Sequence, residues 1–535
     1  MTAYGVALTI GLLAVAIPLV AFARRRGIPY PVVLVGAGLI LGFIPGLPQI
    51  PLDPSLVLVV FLPPLLYWES LTAPVEEMRE NSGHIWLLAI GLAVFTALVV
   101  AVTVHAALPG FSWALALLLG AIVSPTDELA AVVTLERLPL PRYVVAVIEG
   151  ESLLNDASAL ILYGIALTAL TLHQFNPLVD IARGVLAVAG GALLGWIVSL
   201  LAVFGWRRFR DADLQRTISF SIPFAAYGPA QALGLSGVIA TIVLGIRANR
   251  SIPYVLSPAT RIAGTGYWET VVFFANVLLY LLLGLQLHTI LTHVLAVYPA
   301  GILIRDAVLL NVAIIVVRFA WIVGQEYIPA ISGKTKHPEP NPRHALIVAW
   351  SGMRGAVSLA AAIALPLSLG GSGTAMRDLI VFLAFSVILV TLLFGGLTLP
   401  FVARALVVPG EVDQDQVELR LARGAMADAA RQRVAALQKK GRIDERGASA
   451  LLGQVAAHVG TFAGEENFEA ASLRHAERAV LGAERDALLD LWKRGAIDNT
   501  IFRSLQRLLD LAEERLGSPE AAEMKELPEP SDTNA

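Results

Sequence analysis

The chain contains no cysteine among its 535 residues, which removes disulfides, thiolate nucleophiles and cysteine-ligated zinc or iron–sulfur centres together. Charge is also scarce: Asp, Glu, Lys and Arg make up 15% of the residues, against roughly 25% in an ordinary soluble domain. The net charge of −3 leaves no basic excess for binding nucleic acid. None of the nine histidines takes the His-Glu-x-x-His spacing of a zinc protease. The nearest pair, His288 and His293, reads as interfacial or loop residues. No Gly-x-x-x-x-Gly-Lys-Ser phosphate loop occurs, so nothing calls for a nucleotide, a cofactor or an enzymatic reaction.

Apolar residues are what the chain has in abundance. They account for 56% of the sequence, with a mean hydropathy of +0.70, so water is not its main solvent. The first apolar stretch, 4–23, has no basic residue before it and Arg24, Arg25 and Arg26 after it. That order is the reverse of a secretory leader and fits a first membrane span with its N-terminus outside.

A spanning helix needs about 20 mostly apolar residues. Stretches of that kind recur at 4–23, 28–46, 53–71, 84–107, 112–134, 142–171, 178–205, 217–231, 234–246, 266–288, 297–323, 343–366 and 377–403, which gives thirteen. Loops after odd-numbered spans carry the basic residues, among them Arg79, Arg137, Arg207, Arg208, Arg250, Lys334 and Lys336. The positive-inside rule then sets the N-terminus outside and the C-terminus in the cytoplasm. Thirty residues separate Arg216 from Arg247, too few for two full-width helices at roughly 1.5 Å per residue. Those two spans are expected to be short, broken or re-entrant, with Pro223, Pro229, Gly228, Gly234 and Gly237 as the breaks.

After Pro409 the composition becomes charged and Ala-rich, which divides the chain into a transmembrane domain, 1–405, and a cytoplasmic helical tail, 406–535. The segments Gln438-Lys-Lys-Gly-Arg-Ile-Asp and Trp492-Lys-Arg-Gly-Ala-Ile-Asp look like two copies of one helix-ending device: a basic last turn, Gly, then Asp as the next cap. From about Glu523 the composition is that of a disordered end.

Charged residues deep in apolar spans are expensive and need a reason. The fifth span reads Gly120-Ala-Ile-Val-Ser-Pro-Thr-Asp-Glu. Pro125 removes a helix hydrogen bond just before Thr126 and Asp127, and freed carbonyls beside a carboxylate suit a small hard cation. A plain proline kink, with Asp127 reaching toward the cytoplasmic end, is the structural alternative. In the sixth span Glu151 and Asn155 are i, i+4 partners, as are Ser152 and Asp156, so one sector carries two carboxylates, an amide and a hydroxyl. A hydrated loop there is the alternative, but it leaves too short an apolar run before His173. The twelfth span holds Arg354 between Gly352 and Gly355. A buried Arg needs an anion, and Glu151 is the expected partner; the alternative is an Arg snorkelling to the cytoplasmic face. Spans five and twelve are seven apart and so run in opposite directions, the mark of an inverted repeat built on two broken helices. The glycines from Gly191 to Gly195 are read as helix-packing surface.

Three segments together resemble the sodium/proton exchanger family of monovalent cation/proton antiporters, in its bacterial Asn-Asp branch. They are Ser124-Pro-Thr-Asp, Gly150-Glu-Ser-Leu-Leu-Asn-Asp and Gly352-Met-Arg-Gly-Ala-Val-Ser; Phe61-Leu-Pro-Pro-Leu-Leu-Tyr is similar to the family's third-span motif. The resemblance covers residues 5–405 and implies an all-α polytopic fold of about thirteen helices, with crossed, unwound helices and a homodimeric assembly. It implies Asp156 as the carboxylate that exchanges cation and proton. Asp127, the Thr126 backbone and the Ser152 hydroxyl would be further ligands for Na⁺ or K⁺. Glu151 would act partly through water while paired with Arg354, and Asn155 would be a positioning amide. Family members with Asn-Asp are expected to exchange one cation per proton without moving net charge. Glu128 departs from the pattern, where an uncharged residue is usual.

The function expected is therefore exchange of Na⁺, with K⁺ or Li⁺ as other candidates, for H⁺ across a bacterial inner membrane, serving pH and cation homeostasis. A gated monovalent cation channel is the alternative, and a membrane-anchored sensor that works through its tail ranks below it.

Overall fold

The computed structural model describes residues 3–44, 57–127, 142–256, 258–331, 341–366, 373–406 and 413–461, apart from 109 and 173–176, with a few isolated positions outside these ranges. Contacts between Cα atoms separate two compact units, 1–412 and 413–535.

In the first unit every regular element described is helical. The helices are α1 (Ala3–Arg26), α2 (Tyr30–Gly42), α3 (Leu62–Thr72), α4 (Ala93–Ala107), α5 (Trp113–Val123), α6 (Arg142–Leu172), α7 (Pro177–Arg208), α8 (Ala212–Ala232), α9 (Gly237–Val255), α10 (Pro258–Leu295), α11 (Ala300–Ile331), α12 (Pro342–Trp350), α13 (Ala356–Ile363), α14 (Gly373–Val390) and α15 (Gly396–Leu406). Wider π-helical turns lead into α3 and α4 and join α14 to α15. Among the described residues each of the thirteen apolar segments thus contains helix, and the helix is interrupted in the fifth and twelfth. Among the described residues, six stretches are long and apolar enough to cross a membrane by length and composition, from Ser82–Ala107 to Ala375–Leu406, and three shorter apolar helices accompany them.

Large apolar side chains on α7 (Leu193, Leu201, Phe204) and α11 (Ile304, Val308, Val316) are exposed, as suits helices whose outer faces meet lipid tails. With lipid as solvent, helices associate by close approach. Added Cβ atoms at Gly38 and Gly284 would collide with the backbones of α10 and α2 respectively, so these two helices lie against each other through their glycines. Gly191 and Gly195 of α7 meet the carbonyls of Ser236 and Ala240 in the same way, in line with their reading as packing surface.

The expectation of two short or re-entrant spans between Arg216 and Arg247 is not met. α8 has 21 residues and α9 has 19, each about 30 Å long at roughly 1.5 Å per residue. They reach full width by taking the basic residues into the helices. Arg216 pairs with Asp213 within the first turns of α8, and the Arg247 Nε donates to Ser199 Oγ of α7 at 2.8 Å. Pro223 and Pro229 lie inside α8 without ending it. The break falls at Gly234, whose φ of 71° ends α8 in a left-handed turn. The amides of Gly234 and Leu235 return to the carbonyls of Gln231 and Ala230 at 3.0 and 2.8 Å.

The second unit contains α16 (Asp413–Lys439) and α17 (Glu445–Thr461). The helix-ending device read at residues 438–444 is present. Gly441 has φ 67°, the Arg442 amide reaches the Leu437 carbonyl at 3.0 Å, and Asp444 Oδ1 accepts the Gly447 amide at 2.8 Å. Its second copy at Trp492 and the stretch from Glu523 lie outside the described residues.

A β-carbon on the α2–α10 seam has nowhere to go, and overpacking typically costs about 1–3 kcal/mol. Gly284→Val is expected to lower both the thermal midpoint and the monodisperse yield in detergent. Gly301→Val, where a Cβ meets nothing within 4 Å, should leave both unchanged; equal behaviour of the two variants would remove the seam from the account.

Candidate functional site

Two helix interruptions build the site. α5 stops at Val123 and Ser124–Asp127 are not helical; α12 stops at Trp350 and Ser351–Gly355 are not helical before α13 begins. Pro125 has no N–H to continue the first helix, and Gly352 and Gly355 flank Arg354 in the second. The interruptions touch. The Asp127 amide donates to the Met353 carbonyl at 2.7 Å, and the Arg354 Nε donates to the Val123 carbonyl at 3.2 Å. A Cβ at Gly355 would overlap the Asp127 carboxylate, so the second chain passes this close because residue 355 has no side chain.

α6 runs past the contact between the interruptions and presents two stripes. On one stripe Ser152 donates to the Thr126 carbonyl at 2.8 Å, with Asp156 one turn further on. On the other, Asn155 Nδ2 donates to Thr126 Oγ1 at 2.7 Å, and that hydroxyl donates onward to Glu151 Oε1 at 3.3 Å. Thr126, Asp127, Ser152 and Asp156 line one cavity of about 50 Å³, room for a few water molecules or a partly dehydrated ion. Glu151 and Asn155 stand behind it. Asp156 is buried, as are Glu151, Ser152, Asn155 and Thr126.

The ion pair expected between Glu151 and Arg354 is replaced by another. The Glu151 carboxylate is held by Arg318 of α11, from Nη1 to Oε1 at 2.6 Å and from Nη2 to Oε2 at 3.0 Å, with both side chains buried. Such a fork-to-fork pair is the strongest arrangement for these two groups. Arg318 also donates to the carbonyls of Ala349 and Val348 at 3.0 and 2.9 Å, which the end of α12 leaves without helical partners. Arg354 serves carbonyls as well: Val123 at the end of α5, and Gly352 at 2.5 Å. Its backbone amide donates to Thr391 Oγ1 at 3.1 Å. Both arginines thus place positive charge at the negative ends of half-helices.

The remaining wall brings in residues not singled out above. Glu69 on α3, Asn276 and Tyr280 on α10, and Ser358 on α13 all line the cavity. The Tyr280 hydroxyl donates to Asp127 Oδ2 at 2.7 Å. Glu69 stands two residues beyond Tyr67 in the third span, and Arg318 sits within Val316-Val-Arg-Phe. The rule that drew attention to Arg354, a charge inside an apolar run, applies to both. Tyr280 carries no comparable signal. Glu128 lies outside the described residues.

A profile of the family described as sodium/hydrogen exchanger, transmembrane, matches residues 11–405. The chain belongs to that family. A Mycobacterium tuberculosis protein named as an uncharacterized Na⁺/H⁺ exchanger is 32% identical over 97% of this chain and 98% of its own length. A Bacillus pumilus protein named as a sodium, potassium, lithium and rubidium/H⁺ antiporter is 31% identical over 70% of this chain and 58% of its own. Among solved structures, a sodium proton antiporter from Methanocaldococcus jannaschii matches with a TM-score of 0.58 at 18% identity, covering 75% of this chain and 99% of that one. That likeness shows the shared fold. Membership in a family of exchangers does not favour the gated channel.

Removing one partner of a buried pair strands the other, typically at about 3–5 kcal/mol. Arg318→Met should therefore lower the thermal midpoint in detergent, followed by tryptophan fluorescence, and Arg318→Met with Glu151→Gln should recover part of the loss. A double variant no more stable than the single one would count against the pair.

Proposed function

We propose that this protein exchanges Na⁺, with K⁺ and Li⁺ as further substrates, for H⁺ in a one-for-one, electroneutral cycle. The observation that carries the reading is the small cavity that Asp127, Asp156 and Glu69 line together beside two helix interruptions. Carboxylates sharing so little space cannot all stay ionised without a counter-charge, so either a cation or protons must be present. Glu151 is already neutralised by Arg318. The exchangeable charge therefore falls to the groups on the cavity wall.

Asp156 takes the central role, as the buried carboxylate on a continuous helix. With Asp127, the Thr126 carbonyl and the Ser152 hydroxyl it offers an oxygen-rich shell of the kind hard cations require. Asn155 adds no charge and holds Thr126 Oγ1 in place, which supports one titrating step per turnover. When Asp156 accepts a proton its charge disappears and the cation leaves; when it loses the proton a cation enters. The name of the Bacillus relative supports a site tolerant of several monovalent cations.

Alternating access follows from where the walls come from. Leu62, Leu65 and Glu69 of α3 and Asn276 and Tyr280 of α10 share the cavity wall with Asp127, Asp156 and Val357. Sliding of one set past the other opens the site to each side in turn. The same reading includes a homodimer in a bacterial inner membrane, the N-terminus outside, transport carried by residues 1–405, and a cytoplasmic helical tail, 406–535.

Reconstituted in vesicles, the protein should dissipate an imposed pH gradient when Na⁺ is added, without changing the membrane potential. Asp156→Asn should fold and fall to the background of empty vesicles. Exchange that persists in this variant, or a current that accompanies it in the wild type, would overturn the reading.

A further inference from the structure

Hydroxyls on these membrane helices commonly turn back to the carbonyl four residues earlier. Ser70 bonds Leu66 at 2.5 Å, Ser158 bonds Leu154 at 3.3 Å, Thr241 bonds Gly237 at 3.0 Å and Thr391 bonds Val387 at 2.8 Å. Ser358 departs from this habit. It occupies the first turn of α13, so the residue four before it is Arg354, which lies in the interruption rather than in helix. The neighbouring Gly355 carbonyl accepts the Leu359 amide. Ser358 is 1% exposed, and among the described residues its Oγ has no hydrogen-bond partner.

A buried hydroxyl left unpaired typically costs about 1–3 kcal/mol. This one belongs to the wall of the cavity that holds Asp127 and Asp156. The other hydroxyls of that wall have work already. Ser152 donates to the Thr126 carbonyl, Thr126 Oγ1 sits between Asn155 and Glu151, and Tyr280 donates to Asp127. The N-terminal end of α13 carries a partial positive charge that opposes a cation, and a serine lone pair placed there offsets it.

We propose that Ser358 is a cation ligand and a determinant of selectivity. The inference rests on the exchange reading above and adds a neutral oxygen from α13 to the cavity wall. With a cation bound, a lone pair of Oγ faces the ion; with the site protonated, the O–H turns to a carboxylate oxygen. A serine hydroxyl can do both, since it has one donor and two acceptor positions. Selectivity among hard cations follows cavity size and ligand number, so loss of one oxygen changes the ranking of Li⁺, Na⁺ and K⁺.

The test uses the full chain in vesicles, with apparent KM for Li⁺, Na⁺ and K⁺ read from dissipation of a pH gradient. Ser358→Ala is expected to raise KM for Na⁺ roughly threefold to tenfold, the size of one modest polar contact, and to alter the ratios among the three ions. Ser358→Thr should restore both. Ser358→Cys keeps the volume but offers a soft sulfur in place of a hard oxygen, so it should behave as the alanine variant does even if alanine disturbs folding. Wild-type KM values and ratios in the Ala or Cys variant would overturn the proposal while Asp156→Asn remains silent. A wild type with no cation-dependent dissipation would overturn the exchange reading and this inference together.

Discussion

Lipid cannot hydrogen-bond a peptide group, so a helix broken inside the membrane must find partners for every amide and carbonyl it releases. In this protein two broken helices supply much of that need for each other. The Asp127 amide is satisfied by the Met353 carbonyl, and the Val123 carbonyl by the Arg354 side chain. The contact is possible because Gly355 has no Cβ to collide with Asp127. It also places Asp127 where its carboxylate can share a cavity with Asp156 of α6. The candidate site is thus a by-product of satisfying two interrupted backbones against each other.

The arginines belong to the same economy of charge. Arg318 and Arg354 each engage carbonyls at the end of a half-helix. Only Arg318 also holds a carboxylate in a two-pronged pair. That pairing removes Glu151 from the set of groups that need a mobile counter-ion and leaves the cavity carboxylates for the cation and proton of the proposed exchange. Asn155 completes the division by giving its amide to Thr126 instead of adding a further acid.

Much of this architecture is legible in the amino-acid order, and for a physical reason. An apolar run of membrane-spanning length has few alternatives to helix, so the thirteen segments locate helices well. Pro125 and the glycines around Arg354 mark the interruptions because each removes something a helix needs, a donor or a stiff backbone. The i, i+4 spacing on α6 puts Ser152 with Asp156 and Glu151 with Asn155. What spacing cannot state is which helix stands opposite. Arg318 lies 167 residues from Glu151 along the chain and Tyr280 lies 153 from Asp127, and nothing local links either pair. The full length of α8 and α9 is hidden in the sequence for another reason. Arginine in a sequence reads as a loop marker, although its long stem allows it to remain in a helix while its head finds Asp213 or Ser199.

The seam between α2 and α10 reaches further than packing. Gly284 lies one helical turn beyond Tyr280, and Asn276 one turn before it, so all three lie along the same side of α10. Where the glycines seat, the tyrosine hydroxyl is set in height and rotation relative to Asp127. The helix then works as a ruler whose zero mark is held by two missing side chains, and any slippage there is read out as a displaced hydroxyl at Asp127.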